Sequence, residues 1–181
     1  MSSYFYFTRH GQTIWNVENK ICGATDIALT SQGHAQAIEL GKRIKEEHIH
    51  IDGILYSPLV RAADTAKHIS EVTGIACREE IRLKEQNFGR YESTARDGEE
   101  FAKAKMNFVY DFDGGETMLN LCQRIYNLID DIKNDSEDKV YLLVAHNGIS
   151  RIVESYFNNM TNEEFSSFGI KNCELKKYTF R

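Results

Sequence analysis

The sequence predicts an α/β fold, a three-layer α/β/α sandwich whose central sheet is mostly parallel. Residues 4–7 are four consecutive aromatic side chains and residues 140–145 are continuously apolar or aromatic, which predicts two short strands. The apolar continuity of residues 140–145 indicates burial on both faces, as in the middle of a parallel sheet. Helical stretches separate the strands, and this alternation places helices on both faces of the sheet. An edge strand is expected near the C-terminus over residues 174–180, protected by Lys176 and Lys177.

The first long helix is predicted after Thr30 or Ser31, because either hydroxyl can cap a helix N-terminus. Its apolar stripe has helical spacing. The stripe consists of Ala37, Leu40, Gly41 and Ile44. Residues 51–56 then predict a second strand, which returns the chain to the sheet.

Ser57 and Pro58 predict the start of the next helix, with serine as the N-cap and the only proline of the chain at the first helical position. Gly74 predicts its end. The apolar face of this helix is formed by Leu59, Ala62, Ala63, Ala66 and Ile69. A third strand is predicted over residues 75–78.

The second half of the chain begins with residues 82–96, which show no periodic pattern. Residues 97–110 predict a helix, with Phe101, Ala104 and Phe108 on one face, and a glycine pair follows it. Two further helices flank the strand at residues 140–145, and residues 134–138 predict a polar turn. The apolar stripe of the helix before this strand is Met118, Leu121, Cys122, Ile125, Ile129 and Ile132. That of the helix after it is Ile149, Ile152, Val153 and Tyr156.

Length and composition indicate one domain covering residues 1–181. The chain has 22 basic and 27 acidic residues and a net charge of −5, without a dense basic run, so no nucleic-acid partner is expected. No apolar run approaches the length of a membrane span, and the first residues do not resemble a signal peptide. Four scattered cysteines without a C-x-x-C pair predict no zinc site and a reduced, cytoplasmic location.

Both of the strands predicted to be central end at a histidine, His10 after Arg9 in one case and His146 in the other. If the two strands are parallel neighbours, both imidazoles lie at the same edge of the sheet, where α/β proteins bind ligands. Arg61, one turn into the helix after the second strand, can join them. Several cationic groups at one point of an acidic protein suggest a bound dianion, and phosphate fits the planar fork of arginine best.

These residues resemble the motifs of the histidine phosphatase superfamily, also called the phosphoglycerate mutase-like family. The four motifs occur in the family's order over nearly the whole chain, which makes the resemblance specific. They are Arg9-His10-Gly11 with Thr13 and Asn16, Ser57-Pro58-Leu59-x-Arg61-Ala62-x-x-Thr65-Ala66, Leu83-x-Glu85-x-x-Phe88-Gly89 and Val144-Ala145-His146-x-Gly148.

The resemblance implies a role for each residue of the site. His10 is implied as the nucleophile that forms a phosphohistidine, and Glu85 as the acid that protonates the leaving oxygen and later activates water. The equatorial phosphate oxygens are implied to be held by Arg9, Arg61 and His146, with Asn16 assisting. Further substrate contacts are expected from Thr13, Cys22, Gly23 and Asn147. Because arginines supply the positive charge, neither a metal nor another cofactor is expected.

The resemblance therefore implies a metal-independent phosphomonoesterase, a histidine acid phosphatase-type phosphoric monoester hydrolase acting on a small phosphorylated metabolite, as a monomer or homodimer. The alternatives are a cofactor-dependent phosphoglycerate mutase and a non-catalytic phospho-ligand-binding domain. Only 61 positions separate Glu85 from His146. Mutases resembling the glycolytic enzymes carry a long insertion there, so the spacing favours the phosphatase branch.

Two positions depart from the family pattern. Tyr91-Glu92-Ser93 stands where family phosphatases often have an aromatic residue, glutamate and glycine, so the turn at Ser93 is a point where this chain can differ. Asn147 separates His146 from Gly148, whereas glycine often follows the second histidine directly. A contact between the Asn147 backbone N–H and phosphate is one interpretation of this insertion.

Overall fold

The computed structural model describes residues 3–135 and 139–180, and the strands in this part of the chain form a five-stranded sheet. The strands are β1 (Tyr4–Arg9), β2 (Gly53–Tyr56), β3 (Cys77–Glu79), β4 (Tyr141–Ala145) and β5 (Leu175–Thr179). Their order across the sheet is β3-β2-β4-β1-β5. The first four strands are parallel, and β5 pairs antiparallel with β1 at the edge. The predicted α/β fold with a C-terminal edge strand is therefore confirmed.

Helices connect the strands and cover both faces of the sheet. They are α1 (Ile14–Val17), α2 (Ser31–Glu46), α3 (Val60–Thr73), α4 (Glu99–Ala104), α5 (Met118–Asp135), α6 (Asn147–Phe157) and α7 (Asn162–Ser167). None of the helices in the described residues is long and apolar enough to cross a membrane.

The central strand β4 is completely buried and separates two apolar cores. Its side chains alternate between the faces, as the two-residue period of a strand requires. Leu142 and Val144 pack with the apolar stripes of α2 and α3. Leu143 and Ala145 pack with those of α5 and α6 on the opposite face. This arrangement explains the unbroken apolar sequence of the strand, because neither face is available for polar side chains.

Helix ends follow the predicted signals in two places. The Thr30 hydroxyl accepts a hydrogen bond from the Gly33 N–H at 3.0 Å and so caps α2. Gly74 ends α3 with φ +79°, a left-handed conformation that costs glycine little. A Cβ at Gly74 would meet nothing within 4 Å, so backbone conformation and not space favours glycine there.

The start of α3 differs from the prediction. Leu59 is the N-cap, because its carbonyl accepts the first helical hydrogen bonds, from the N–H groups of Ala62 at 2.9 Å and Ala63 at 3.0 Å. Ser57 lies two residues earlier and accepts the Leu59 N–H at 3.3 Å. The prediction that Ser57 caps the helix and Pro58 is its first residue was therefore wrong.

The helix predicted over residues 97–110 is also shorter, since α4 covers only Glu99–Ala104. Its predicted apolar face is divided between two clusters. Phe101 and Ala104 belong to a small separate cluster, whereas Phe108 packs on Phe165 at a ring distance of 5.6 Å, beside the main core. The chain has to leave the helix to bring Phe108 to that core. The small cluster consists of Ile21, Phe88, Tyr91, Phe101, Ala104 and Phe112.

Other element boundaries differ by a few residues. The predicted polar turn at residues 134–138 begins inside α5, and residues 136–138 lie outside the described residues. Helices α1 and α7 were not predicted, although Thr13 and Thr161 each form a capping box. A threonine followed three residues later by asparagine or glutamate is a signal that finds such short helices.

Candidate active site

The topology places His10 and His146 at one edge of the sheet. Strands β1 and β4 are parallel neighbours, with Arg9 opposite Ala145, so each histidine follows at the same level. The His10 N–H donates to the Ala145 carbonyl at 3.0 Å. The two imidazole rings lie 5.2 Å apart between centroids. The structure therefore brings together the two histidines that the sequence places 136 positions apart.

The hydrogen bonding of His10 determines which ring nitrogen is reactive. Nδ1 lies 2.7 Å from the Gly11 carbonyl oxygen, which can only accept, so Nδ1 carries the proton. Nε2 then keeps its lone pair. Burial, followed by the charges of Arg61 and Arg9, holds the pKa of His10 well below its usual value. The imidazole is therefore neutral and able to act as a nucleophile.

Gly11 is confined by a close approach of two backbone segments. A Cβ at this position would lie 2.3 Å from the Gly33 carbonyl oxygen at the start of α2. The Gly11 N–H donates to the Thr65 hydroxyl at 3.0 Å, and that hydroxyl donates to the Arg61 carbonyl at 2.7 Å. The glycine thus allows the loop after β1 to contact α2 and α3 and fixes the carbonyl that orients His10.

Arg61 is completely buried and fixes the loop at residues 22–25. Its Nη1 donates to the Thr25 carbonyl at 2.9 Å and its Nη2 to the Gly23 carbonyl at 2.7 Å. Its Nε is buried without a partner among the described residues. Buried arginine charge calls for an anion, and an unpaired donor beside His10 fits a phosphate oxygen.

Arg9 lies at the end of β1 and contributes a second guanidinium. Its Nη1 donates to the Ile170 carbonyl at 3.0 Å, while its Nε is buried and lacks a partner within residues 3–135 and 139–180. Burial, with a contribution from Arg96, lowers the pKa of Arg9 to about 10. The side chain therefore remains charged at neutral pH.

His146 is also fully buried and neutral. Its Nε2 lies 2.7 Å from the Ser57 hydroxyl oxygen, and its Nδ1 has no partner in the part of the chain that the structure describes. Burial, then Arg61 and His10, lowers its pKa well below the usual value. A neutral imidazole with one free ring nitrogen can donate one hydrogen bond to a phosphate oxygen if that nitrogen carries the proton.

Glu85 has the properties of a general acid. The side chain is 5% exposed and receives hydrogen bonds from the Gly148 N–H at 2.9 Å and the Gln86 N–H at 3.0 Å. Burial raises the pKa of its carboxyl, although these hydrogen bonds and Arg61 oppose the shift. A Cβ at Gly148 would lie 2.3 Å from Glu85 Oε1, so the first turn of α6 needs glycine to accommodate the carboxylate.

Thr13 and Asn16 are held in a capping box. The Thr13 hydroxyl accepts the Asn16 N–H at 3.3 Å, and the Asn16 side-chain oxygen accepts the Thr13 N–H at 3.0 Å. Asn172, which the sequence analysis did not single out, donates to Asn16 Oδ1 at 3.3 Å and to the His10 carbonyl at 2.8 Å. The structure therefore places the Asn16 side chain in contact with the His10 loop, and Thr13 in a capping role.

Three other predicted substrate contacts lie around Glu85. Cys22, Glu85 and Asn147 line one cavity of about 190 Å³. Burial raises the pKa of the Cys22 thiol to about 11. The Gly23 N–H donates to the Glu92 carboxylate, and the Gly23 carbonyl accepts from Arg61. The Asn147 side-chain oxygen accepts the Ile170 N–H at 3.0 Å. The inserted asparagine thus anchors the segment before β5 to the start of α6.

Glu92 organises the loop that Arg61 also contacts, and the sequence analysis did not assign it this role. Its carboxylate accepts hydrogen bonds from backbone N–H groups and one hydroxyl. The donors are the N–H groups of Gly23 (3.0 Å), Ala24 (2.9 Å), Thr25 (3.4 Å) and Phe88 (3.0 Å) and the Thr25 hydroxyl (2.7 Å). The aromatic-Glu-Ser motif at residues 91–93 carried a signal for this role. Ser93 has φ +68°, so the turn keeps a conformation that favours glycine.

Together, these observations define an α/β protein that places a neutral histidine, a buried carboxyl group and two guanidinium groups with unpaired buried donors near the carboxyl edge of its sheet. The family model of the histidine phosphatase superfamily, branch 1, matches residues 5–181. The chain belongs to that superfamily.

Individual relatives support the same family. The chain is 32% identical over 171 residues to a 2,3-bisphosphoglycerate-dependent phosphoglycerate mutase of Bartonella tribocorum, covering 88% of this chain and 83% of the relative. It is 27% identical over 179 residues to the probable phosphoglycerate mutase GpmB of Erwinia tasmaniensis, covering 95% and 82%. A solved structure of a mycobacterial glucosyl-3-phosphoglycerate phosphatase has the same fold, with a TM-score of 0.83, 24% identity and coverage of 97% and 90%.

Proposed function

We propose that this protein is a phosphomonoesterase that works through a phosphohistidine formed on His10. The observation that carries the proposal is the 2.7 Å contact between His10 Nδ1 and the Gly11 carbonyl, which leaves Nε2 as the free nucleophile. Covalent catalysis divides one difficult displacement into two easier ones. In chemistry this is a phosphoric monoester hydrolase of the histidine acid phosphatase type.

In the first step, Nε2 attacks phosphorus, so that the N–P bond forms while the ester P–O bond breaks. Glu85 gives its proton to the leaving alcohol oxygen. Arg9, Arg61 and the free nitrogen of His146 supply donors for the three equatorial oxygens, whose charge governs phosphoryl transfer. Asn16 assists from the loop after β1.

In the second step, water attacks the phosphohistidine and Glu85, now a carboxylate, removes its proton. The O–P bond forms, the N–P bond breaks, and inorganic phosphate leaves. The same residue acts as acid and then as base, which suits a carboxyl whose pKa is raised toward the working pH. This scheme takes its positive charge from arginine and needs neither a metal nor another cofactor.

A phosphoglycerate mutase is the second candidate, favoured by the names of the curated relatives. Its first step would be identical, and the phosphoryl group would pass to a phosphoglycerate and not to water. The short spacing of 61 positions between Glu85 and His146 favours water as the acceptor. We propose that the substrate is a small phosphorylated metabolite and that the protein works in the cytoplasm as a monomer or homodimer. Its four cysteines are free thiols, in keeping with a reducing compartment.

One set of assays separates these functions. Steady release of phosphate from p-nitrophenyl phosphate in EDTA supports the phosphatase, and an acid-labile phosphoenzyme that is absent from His10→Ala supports the intermediate. Exchange between 2- and 3-phosphoglycerate without net release supports the mutase instead. Phosphate binding without any turnover indicates a non-catalytic domain, and activity that EDTA abolishes contradicts the metal-independent scheme.

A further inference from the structure

We infer that the substrate carries a second acidic group besides the ester phosphate, and that a cationic cavity formed by Arg96, Lys105 and Arg151 binds it. The inference deepens the proposed function and rests on it. The cavity has a volume of about 190 Å³ and is contiguous with the catalytic acid, because Glu85 and Gly148 form part of its wall. A group bound there is therefore next to the leaving side of the phosphate site.

Arg151 carries the strongest indication that this cavity binds an anion. It lies on α6 and is only 6% exposed, yet its Nε and Nη1 are buried without a hydrogen-bond partner among the described residues. Buried arginine donors left unpaired are costly, and natural sites normally compensate them. An acidic group in the cavity would supply the acceptors.

The other two cations use neutral partners. Arg96 donates to the Lys20 carbonyl at 2.9 Å, and Lys105 donates to the Ser166 carbonyl at 3.3 Å. Within the described ranges, no ion pair joins a carboxylate to any of the three cations. Glu85, in the wall of the same cavity, interacts electrostatically with Arg151 and opposes the lowering of the Arg151 pKa by burial. Three cations around one small cavity, none of them in an ion pair within the described residues, are unexpected in a chain of net charge −5.

The electrostatics of the cluster support this assignment. Burial, with Arg151 and Arg96, lowers the pKa of Lys105 to about 8. Arg96 also lowers the pKa of His10 and of Arg9, so its charge acts on the phosphate site and on the cavity. An anion bound among these cations offsets their mutual repulsion. A substrate with anions at both ends would satisfy both groups of cations.

The chemistry of the second group follows from the cavity. The cationic side chains that line the cavity match an oxyanion, either a carboxylate or a second phosphate. Its volume of about 190 Å³ lies below the roughly 300–1,000 Å³ of drug-sized ligand sites, which indicates a compact group. Ile21, Phe88 and Phe101 form an apolar part of the wall that can contact the carbon skeleton.

The test compares esters that differ only in the second group. The probes are 3-phosphoglycerate, with a carboxylate, propane-1,3-diol bisphosphate, with a second phosphate, and glycerol 3-phosphate, which has no second acid. We expect wild-type kcat/KM to favour one of the acidic esters by about 10- to 100-fold, the usual range for a hydrogen-bonded charge. The preferred acidic ester identifies the group as carboxylate or phosphate.

The variants are Arg151→Gln and Lys105→Met, with Arg78→Gln, an exposed arginine on the distant strand β3, as the matched control. Each cavity variant should reduce the ratio of kcat/KM for the acidic ester to that for glycerol 3-phosphate by about 10-fold or more. Arg78→Gln should keep the wild-type ratio. Lys105 is only partly buried, so Lys105→Met provides a folded variant should Arg151→Gln lose its structure.

Unchanged ratios in both folded cavity variants would overturn the inference, as would a wild-type enzyme that does not prefer either acidic ester. In both cases hydrolysis of the esters would still support the phosphatase. The absence of any hydrolysis by the wild type, including hydrolysis of p-nitrophenyl phosphate, would instead overturn the proposed function. The two failures are therefore distinguishable.

Discussion

The Ser57 hydroxyl oxygen lies 2.7 Å from Nε2 of His146 and can donate its hydrogen to that nitrogen. Because Ser57 Oγ already accepts the Leu59 N–H at 3.3 Å, its own hydrogen is free to point at Nε2. We therefore assign the imidazole proton to Nδ1, the nitrogen without a partner among the described residues. In the proposed mechanism, Ser57 is therefore a positioning residue that leaves Nδ1 of His146 as the donor toward phosphate.

The first prediction follows from this contact. Ser57→Ala removes the donor to Nε2, allows the imidazole proton to move to that nitrogen, and should lower kcat/KM for p-nitrophenyl phosphate by about 10-fold. In a His146→Ala background the same substitution should cost less than about 2-fold, because the two residues act as a unit. Equal losses in both backgrounds would show that Ser57 acts independently of His146.

The second prediction separates the nucleophile from the acid. His10→Ala should abolish turnover of every ester. Glu85→Gln should lower the rate of phosphoenzyme formation by about 10² to 10⁴ for alkyl phosphates, the usual contribution of general acid catalysis. With p-nitrophenyl phosphate the loss should shrink, since its leaving group needs little protonation. Single-turnover measurements with both esters check this, and equal losses would rule out Glu85 as the acid.

The third prediction concerns pH. Burial raises the pKa of Glu85, and the first step needs its protonated form, so kcat/KM for an alkyl phosphate should persist above the ordinary glutamate value of about 4.3. It should then fall as the pH rises through the raised pKa. His10 has a lowered pKa and is already neutral below its ordinary value. A pH profile corrected for substrate ionisation tests both directions.

The matching control is Glu85→Gln, which cannot titrate and should lack the descending limb. A wild-type rate that instead increases tenfold per pH unit up to about 6.5 would indicate that His10 titrates as an ordinary imidazole. Such a profile would contradict the neutral nucleophile inferred from its burial beside Arg61 and Arg9.

The features of the fold that were predicted correctly depend on local pattern. The apolar run at residues 140–145 required burial on both faces, and the aromatic run at residues 4–7 indicated a neighbouring strand. The histidines that follow the two strands lie close together because parallel strands end at the same edge. By contrast, Ser57 satisfies the sequence rule for an N-cap but is used by His146, 89 positions away. Local propensity cannot show that a group distant in sequence forms a hydrogen bond with this hydroxyl.

The same reasoning explains which site residues were missed. Arg9, His10 and Arg61 lie in short motifs, so residue type and order located them. Glu92 acts through partners that are distant in sequence. Residue type and order do not indicate that Arg151 is buried in the cavity that Glu85 also lines. Only the folded chain shows that its donors are unpaired among the described residues.

The fourth prediction tests the loop at residues 22–25. Both carboxylate oxygens of Glu92 accept hydrogen bonds from residues 23–25. Glu92→Gln replaces one of these oxygens with an NH₂ group, which cannot accept, so the donors to that oxygen lose their acceptor. The free energy of unfolding should fall by about 2 kcal/mol. KM should rise because the carbonyls that fix Arg61 become less constrained. Thermal unfolding and steady-state kinetics measure the two effects, and the exposed Glu79→Gln should leave both unchanged.

The fifth prediction concerns backbone conformation at Ser93. A non-glycine residue at φ +68° is strained, since the left-handed region costs L-residues roughly 1–2 kcal/mol. Ser93→Gly should relieve this strain, and part of the gain is lost to the greater freedom of glycine in the unfolded chain. The net effect should be a stabilisation of about 0.5–1 kcal/mol, which corresponds to an increase in Tm of roughly 1–4 °C for a chain of this size.

Gly74→Ala is the reciprocal control for the fifth prediction. Gly74 has φ +79°, and a Cβ added at this position would meet no atom within 4 Å. Alanine there therefore introduces conformational strain without a clash. It should lower the free energy of unfolding by about 1 kcal/mol. Opposite changes in Tm for the two variants would establish that the chain tolerates serine in a glycine conformation at residue 93. A decrease in Tm for Ser93→Gly would show that contacts of the serine side chain outweigh the strain.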